Sequence, residues 1–300
     1  MLTLLEPYCY HCYPHRGSSF REDYSRLGEV RSLIPTDVHI MALTATATSK
    51  TRANIVHTLC MEDSYVLSVS PHKKNVVYVV KRKGEMEEVV QILARGLQNL
   101  RTEMPRIIVF CKRYEECSRM YRLFKYYLKH SFTEPPGAPN LVKFRLVDMY
   151  TKCTEGDVKE AIVESFCNPG GNLRIVIGTV AFGMGLDCPN VRQIILWGPP
   201  SDFESFIQQT GRAGRDGLLA CALAYYTDAD HRWTSEKMME FCHLSDMCRR
   251  KTLFSGFDKF SDLQWPCKPC LCCDVCMQNC SCDLCSAGNR YMNEVFFCLS

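Results

Sequence analysis

Two arginines in the last third of the chain have the side-chain chemistry and the spacing to bind phosphate. Arg212 and Arg215 stand three residues apart in the run QQTGRAGRD, with only small residues between them. A planar guanidinium on a sterically open backbone suits bidentate contact with phosphate oxygens. The run therefore indicates a site for a phosphate-bearing ligand.

Cysteines are the second group of residues that could do chemistry. The chain has 20 cysteines, and nine of them follow Gln264. Cys270, Cys273 and Cys276 have the spacing C-x₂-C-x₂-C, with Cys248 as a distant fourth ligand, and four thiolates satisfy a closed tetrahedral Zn²⁺ site. One dense cluster in a long chain with scattered single cysteines favours a reduced compartment and zinc over a disulfide scaffold.

The other cysteines of the cluster leave the choice of ligands open. Cys267 and Cys272 lie among the expected ligands, and the spacing of Cys280, Cys282 and Cys285 could hold part of a second site. An iron–sulfur cluster is the main alternative to zinc, and a set of free cysteines is the other alternative.

Strand and helix patterns alternate along the chain, and these elements must position both groups. Short apolar runs typical of buried strands occur at 38–43, 76–80, 107–110, 145–149, 175–177, 194–196 and 219–226. Helical patterns lie between them, and Ser49, Thr154 and Ser201 are their expected N-terminal caps, with Ser201 and Glu204 forming a capping box. The alternation predicts an α/β fold with a mostly parallel sheet and helices on both faces.

Composition and length bound the class of protein. At 300 residues with 46% apolar residues, the chain is expected to form two or three globular domains. The net charge of +3 favours nucleic acid only weakly. No apolar run approaches the length that spans a bilayer, and the first residues do not have the pattern of a secretory signal, so no membrane partner is expected.

Four segments of the chain carry motifs of one known family. TVAFGMG at Thr179–Gly185 is followed, after a strand and a helix, by QQTGRAGRDG; TATAT stands at Thr44–Thr48; and an apolar strand stands at 107–110. Cys248-Arg-Arg is followed by a Cys-x-x-Cys-Asp-x-Cys run at 270–276. TVAFGMG and QQTGRAGRDG resemble motifs V and VI of superfamily-two helicases. TATAT resembles motif III, and the strand at 107–110 resembles motif IV. Together with the cysteine run, they resemble in detail the RecQ family of DNA helicases.

The resemblance runs from His11 to Cys276 and implies an architecture. It implies RecA-like parallel-sheet lobes with helices on both faces, plus a small helical zinc-binding subdomain. Residues 1–84 would be a remnant of the first lobe, ending with the strand at 76–80. Residues 85–230 would be the second lobe, and residues 231–300 the zinc-binding subdomain.

The resemblance also implies roles for individual residues. Arg215 would be the arginine finger that reaches the γ-phosphate, Arg212 would support it, and Gln208 would link that interface to the substrate. The other expected contacts are Asp187 and Gly185 for the nucleotide, Thr179, Thr44 and Thr46 for DNA, and Cys248, Cys270, Cys273 and Cys276 for structural Zn²⁺. The implied activity is ATP-dependent 3′-to-5′ unwinding of DNA in repair and recombination, in the nucleus, with ATP, Mg²⁺ and single-stranded or forked DNA.

The sequence also departs from the family pattern. No G-x-x-x-x-G-K-[ST] loop occurs in it. Tyr8, Cys9 and Tyr10 stand where the family has the Asp-Glu-Ala before its histidine, and Arg16 stands where it usually has tryptophan. Two hypotheses follow. The chain is a fragment, truncated isoform or gene-model remnant of a helicase, or it is a non-catalytic zinc-containing module that binds DNA or a partner. We expect it alone to bind DNA weakly and to hydrolyse ATP negligibly.

Overall fold

The computed structural model describes residues 2–5, 27–35, 38–44, 46–61, 63–180, 182, 188, 190–257 and 268–282. His11, where the resemblance begins, and the departures at positions 8–10 and 16 lie outside the described residues, as do Gly185 and Asp187. Among the described residues, no helix has both the length and the apolar content to cross a membrane.

Two parallel sheets are present in the described part of the chain. The smaller sheet pairs β1 (Leu2–Leu5) with β2 (Ile40–Leu43). The larger sheet contains β3 (Val76–Arg82), β4 (Arg106–Cys111), β5 (Val147–Tyr150), β6 (Ile175–Gly178), β7 (Val191–Trp197) and β8 (Ala220–Tyr226). Its order is β3-β8-β7-β4-β6-β5, and every neighbouring pair is parallel. Because helices cover both faces, these strands are continuous apolar runs rather than alternating ones.

Helices pack on both faces of the larger sheet, as the sequence predicts. In chain order the described helices are α1 (Leu27–Leu33), α2 (Ser49–Thr58), α3 (Met86–Leu100), α4 (Tyr114–Leu128), α5 (Gly156–Cys167), α6 (Phe203–Thr210), α7 (Glu236–His243), α8 (Arg249–Phe254) and α9 (Asp274–Gln278). Helices α3 and α4 share one hydrophobic core with the sheet. Helices α5 to α9 share the core on the opposite face.

Strand β3 lies at the edge of the larger sheet. All seven of its residues pair with β8, from Val76 opposite Ala220 to Arg82 opposite Tyr226. The expectation that this strand ends the first lobe is therefore wrong, because its partner follows it by more than a hundred residues and belongs to the second lobe. The division of the chain after residue 230 stays a prediction.

Helix starts differ from the expected positions by one residue. Thr48, not Ser49, caps α2, since its hydroxyl accepts a hydrogen bond from the Thr51 amide. Asp202, not Ser201, caps α6. Because the cap is Asp202, the Glu204 carboxylate is not used in a capping box.

The start of α5 shows the same shift. Its N-cap residue is Glu155 rather than Thr154. The Thr154 hydroxyl instead accepts a hydrogen bond from the Thr151 amide, which closes the turn before the helix.

Candidate functional site

Arg212 and Arg215, the two arginines predicted to bind phosphate, lie in a turn that joins α6 to β8, residues 211–218, which we call the arginine turn. The Lys73 ammonium donates hydrogen bonds to the carbonyl oxygens of Gly211 and Ala213, at 2.6 and 3.0 Å. Ala213 is completely buried, whereas Arg212 is half-buried and Arg215 is exposed. The backbone between the two arginines is therefore fixed to the body of the protein, while Arg215 faces solvent.

The second half of the arginine turn is held by Asn75, the residue before β3. Its side-chain amide donates to the carbonyl oxygens of Gly214 and Leu218, at 2.8 and 2.7 Å. The Gly214 amide donates to the Val191 carbonyl at the start of β7, at 3.0 Å. Gly214 has φ of +59°, and a Cβ atom there would lie 2.4 Å from the Asn75 amide nitrogen. The turn thus requires glycine both for its backbone angle and for the close approach of Asn75.

An ion pair anchors the carboxylate that follows the two arginines. Arg192 Nη1 donates to Asp216 Oδ1 at 2.8 Å. This hydrogen bond lowers the pKa of the Asp216 carboxyl below its ordinary value. Asp216 is therefore ionised at neutral pH, and its charge is balanced by an arginine at the start of β7.

Helix α6 connects the arginine turn to the threonine-rich segment that precedes α2. Glu204 lies in the first turn of α6, and its Oε1 accepts hydrogen bonds from the Thr48 amide at 2.7 Å and the Thr51 hydroxyl at 2.5 Å. Gln208 is half-buried one helical turn further on, on the same face as Glu204. The helix then leads directly into the arginine turn.

The three threonines expected to contact DNA have different environments. The Thr44 hydroxyl accepts from the Thr46 amide and donates to the Thr46 carbonyl, which closes a short turn after β2. Thr46 is buried, and its hydroxyl has no hydrogen-bond partner among the described residues. Thr179 is half-buried directly after the carboxyl end of β6. The arginine turn lies at the amino ends of β7 and β8. The structure therefore places Thr179 and the arginines at opposite ends of the parallel strands.

A compact cysteine-containing segment, residues 268–282, packs beside β3; we call it the cysteine knuckle. The sulfur atoms of Cys272, Cys273 and Cys276 all lie within 4.8 Å of one another and of Cys248, the residue before α8. Cys248 Sγ is 3.5 Å from Cys272 Sγ and 4.0 Å from Cys273 Sγ. Four soft sulfur donors at this spacing fit one tetrahedral Zn²⁺.

This four-cysteine site differs from the expected ligand set at one position. Cys272 takes the place expected for Cys270, and the Cys270 sulfur instead groups with Cys280 and Cys282. Cys285 lies outside the described residues. Cys167 and Cys188 form a disulfide elsewhere in the structure.

The four sulfur atoms influence one another's protonation. Hydrogen bonding from Cys272 and then Cys273 lowers the pKa of the Cys248 thiol, and the same contact raises the pKa of Cys272. Burial, with the neighbouring Cys273 charge, raises the pKa of Cys276 to about 12. Because thiolates are the form that ligates zinc, binding of a metal ion would displace the thiol protons of these cysteines.

The Cys-Arg-Arg motif attaches the cysteine knuckle to the sheet. Arg250 is fully buried beneath β3 and donates hydrogen bonds to His72 Nε2 at 2.8 Å and to the Lys73 carbonyl at 2.6 Å. It also donates to the Val76 carbonyl, and its guanidinium lies 5.0 Å from the centroid of the Tyr78 ring. The second arginine of the motif therefore satisfies backbone carbonyls of the segment that leads into β3.

Arg249 and Asp274 form the second attachment. Arg249 Nε donates to Asp274 Oδ1 at 2.5 Å, and the other carboxylate oxygen accepts from the Val80 amide at 3.1 Å. The Tyr78 amide donates to the Cys272 carbonyl at 3.3 Å. The cysteine knuckle thus satisfies amides on the side of β3 away from β8, and it covers an edge that would otherwise be open for pairing.

Sequence reasoning missed Lys73, Asn75, Arg249, Arg250 and Asp274 as residues that position the site. The last three carried a signal, because they belong to the Cys-Arg-Arg and Cys-Asp-x-Cys motifs. Lys73 and Asn75 carried none, because their partners lie about 140 residues further along the chain.

Comparisons with known proteins agree with this geometry. A family model for the helicase conserved C-terminal domain matches residues 84–217. The chain is 28% identical over 286 residues to the ATP-dependent DNA helicase RecQ of Pasteurella multocida, covering 89% of this chain and 40% of that protein. It is 28% identical to ATP-dependent DNA helicase hus2/rqh1 of Schizosaccharomyces pombe, covering 88% and 20% of the two chains. It is 32% identical over 215 residues to human ATP-dependent DNA helicase Q4, covering 70% and 17%.

Solved structures show the same fold at lower identity. Saccharomyces cerevisiae Dbp5 bound to RNA and ADP BeF3 superposes with a TM-score of 0.58 at 12% identity, over 98% of this chain and 63% of Dbp5. Mycobacterium smegmatis helicase Lhr bound to ssDNA and AMP-PNP gives a TM-score of 0.55 at 16% identity, over 93% of this chain and 33% of Lhr.

The six-stranded parallel sheet with helices on both faces has the fold of a RecA-like helicase C-terminal lobe, and residues 84–217 match the helicase conserved C-terminal domain. The more particular similarity is to the RecQ family of DNA helicases, to which the chain is about 28% identical over most of its length. The chain spans 40% or less of the length of these two relatives.

Proposed function

We propose that this chain provides the C-terminal lobe and the zinc-bearing part of a RecQ-type DNA helicase, which unwinds DNA in the 3′-to-5′ direction at the expense of ATP. The arginine turn carries the proposal. Its backbone is fixed by Lys73, Asn75 and Gly214, so Arg212 and Arg215 are presented from a rigid support. Preorganised charge of this kind is what stabilises a transferring phosphoryl group, because no reorganisation is needed as charge develops.

In the complete helicase, Arg215 acts as the arginine finger and Arg212 supports it. Gln208 lies on the helix between these arginines and the segment from Thr44 to Thr48. The hydrogen bonds from Thr48 and Thr51 to Glu204 support a rigid link along α6 between the DNA-facing threonines and the nucleotide-facing arginines. Thr179 contacts the DNA backbone at the carboxyl ends of the strands, opposite the arginine turn.

Zinc has a structural role in this proposal. Cys248, Cys272, Cys273 and Cys276 would hold the ion, which would fix α8 and the cysteine knuckle to each other. Arg250 and Asp274 then transmit that fixed position to β3 through the hydrogen bonds described above.

The first test uses the chain as it stands. We expect no DNA-stimulated ATP hydrolysis, because phosphoryl transfer also needs a phosphate-binding loop and a held Mg²⁺. We expect weak binding to single-stranded DNA that falls steeply as salt rises, measured by fluorescence anisotropy of a labelled oligonucleotide. Turnover of about 1 per second or faster by the chain alone would contradict the proposed division of roles.

The second test joins this lobe to a complete first lobe from a relative. The first lobe of Pasteurella multocida RecQ would be joined to residues 70–300 of this chain, which keeps Lys73, Asn75 and β3. DNA-stimulated ATPase activity of the chimera would then be measured. We expect Arg215→Ala to lower the rate by about 10³-fold or more. Arg95→Ala, at an exposed arginine on α3, is the matched control and should leave the rate unchanged. An active chimera whose ATPase rate is unchanged by Arg215→Ala would contradict the role of Arg215 as the arginine finger.

A second candidate function is a non-catalytic zinc-containing module that binds DNA or a partner protein. The hydrogen bonds that attach the cysteine knuckle to β3 favour this second function, because they form without a bound nucleotide. The genomic sequence immediately upstream separates the two functions. An in-frame phosphate-binding loop and acidic motif support the helicase, whereas a stop codon or unrelated sequence supports the module.

A further inference from the structure

Three cysteines outside the four-cysteine site form a second sulfur cluster. The sulfur atoms of Cys270, Cys280 and Cys282 all lie within 4.8 Å of one another. Cys270 Sγ and Cys282 Sγ are 3.5 Å apart. Cys270 belongs to a 3₁₀ turn before α9, and the other two residues follow the end of that helix. The chain therefore returns on itself to bring these three thiols together.

The spacing of the three sulfur atoms fits a shared metal ion better than a disulfide. A disulfide bond holds its sulfur atoms about 2.05 Å apart. A tetrahedral ion with Zn–S bonds of about 2.3 Å holds its sulfur atoms about 3.8 Å apart. The observed separation of 3.5 Å is close to the second value.

The burial pattern after α9 separates the two cysteines from their neighbours in the chain. Asn279 and Ser281 are exposed, whereas Cys280 and Cys282 are half-buried and Cys270 is 1% exposed. Residues 279–282 contain no apolar side chain other than the two cysteines. A short segment without a core of its own generally needs a disulfide or a metal to stay in place.

We propose that Cys270, Cys280 and Cys282 bind a second Zn²⁺, separate from the ion expected at Cys248, Cys272, Cys273 and Cys276. Three S–H bonds break and three Zn–S bonds form, three protons pass to solvent, and no oxidant or reductant is needed. Water or another donor group completes the fourth coordination position. The ion would tie residues 279–282 to the turn before α9.

The test is the zinc content of the full chain, purified under reducing conditions and measured by elemental analysis and native mass spectrometry. We expect two zinc ions per chain in the unmodified protein and one in the Cys280→Ser/Cys282→Ser variant. The Cys60→Ser/Cys153→Ser variant removes two exposed free cysteines and should keep both ions. One zinc ion in the unmodified chain, retained in Cys280→Ser/Cys282→Ser, would overturn the proposal.

Alkylation of the unmodified chain also tests the second zinc site, and it does not depend on whether a variant folds. In the zinc-loaded protein, Cys280 and Cys282 should be protected from iodoacetamide relative to Cys153, and a chelator should remove that protection. Peptide mass spectrometry would report each site. Reaction of Cys280 and Cys282 as fast as Cys153, or a Cys270–Cys282 disulfide in place of bound metal, would exclude the second zinc site.

Discussion

Gly214 and Gly217 both have positive φ in the arginine turn, but only Gly214 is enclosed. A Cβ atom at Gly214 would lie 2.4 Å from the Asn75 side chain, whereas nothing lies within 4 Å of a Cβ atom at Gly217. Gly217→Ala therefore tests the cost of the backbone angle alone, which is about 1–2 kcal/mol. Gly214→Ala should cost about 1–3 kcal/mol more, because Asn75 must also move.

The measurement is the free energy of unfolding of both variants by urea denaturation. Equal losses of stability in the two variants would show that Asn75 can shift at no cost and that it does not hold the arginine turn in place.

His72 should make stability depend on pH. Burial, and then the charge of Arg250, lower the pKa of His72 from 6.5 to about 4, so the neutral imidazole accepts the hydrogen bond from Arg250. Between pH 4 and 6.5 the unfolded chain binds a proton at this position that the folded chain does not bind. This stabilisation is therefore complete above pH 6.5 and is lost as pH falls towards 4.

His72→Gln is the matched variant, since its amide oxygen can still accept a hydrogen bond but does not titrate. Thermal unfolding from pH 7.5 to about 4.5 should show a smaller decrease in Tm for His72→Gln than for the unmodified chain. If Tm decreases equally in His72→Gln and in the unmodified chain, other groups, such as the cysteines of the four-cysteine site, account for the whole pH dependence.

The attachment of the cysteine knuckle to β3 depends on a buried charge pair. The Arg249 side chain is 4% exposed, and Asp274 joins it to the amide of Val80. Asp274→Asn leaves the Arg249 guanidinium buried without its counter-charge, and we expect a loss of about 3 kcal/mol in unfolding free energy. Glu240→Gln removes an exposed carboxylate on α7 and should change stability by less than about 0.5 kcal/mol.

Chemical denaturation of the two variants under identical zinc-loaded conditions checks this expectation. If Asp274→Asn and Glu240→Gln are equally stable, the hydrogen bonds of Asp274 contribute nothing measurable, and the other contacts of the knuckle, including the hydrogen bond from Tyr78 to Cys272, are sufficient to hold it.

The strands could be predicted closely from sequence because both faces of the sheet are buried. The apolar runs at 107–110, 194–196 and 219–226 became Arg106–Cys111, Val191–Trp197 and Ala220–Tyr226. The position of Val76–Arg82 could not be predicted, because an apolar run shows that a strand is buried but not which strand it pairs with. Its partner, β8, was fixed only by tertiary contacts such as those of Asn75.

The cysteine ligands show a different limit of local reasoning. Cys270, Cys272 and Cys273 stand within four residues, and the C-x₂-C spacing selects the first of them. The 3₁₀ turn Pro269–Leu271 instead places the Cys270 sulfur with Cys280 and Cys282, and brings Cys272 to Cys248. Spacing predicts that a metal site exists, whereas the backbone path decides which sulfur belongs to which site.

Removal of metal should loosen one face of the lobe before the other. Cys272, Cys273 and Val275 belong to the core that packs under α5 to α8, whereas the core under α3 and α4 contains no fully buried residue of the cysteine knuckle. Chelation at the four-cysteine site should release the knuckle from β3 and free the amides of Tyr78 and Val80. Strands β4 to β8 and the α3–α4 face should stay folded, because the knuckle adds only the partly buried Leu271 and Met277 to that core.

Hydrogen exchange followed by mass spectrometry can separate this partial opening from global unfolding. After chelation, peptides that cover 74–82 and 249–257 should exchange at least about tenfold faster, since loss of about 1.4 kcal/mol of protection corresponds to that factor. Peptides that cover 107–111 and 114–128 should be unchanged. Re-addition of zinc should restore slow exchange in the unmodified chain but not in Cys248→Ser, whereas Cys60→Ser should behave like the unmodified chain. A uniform increase across all four peptides would mean that zinc stabilises the whole lobe as one cooperative unit, contrary to the two-core arrangement seen here.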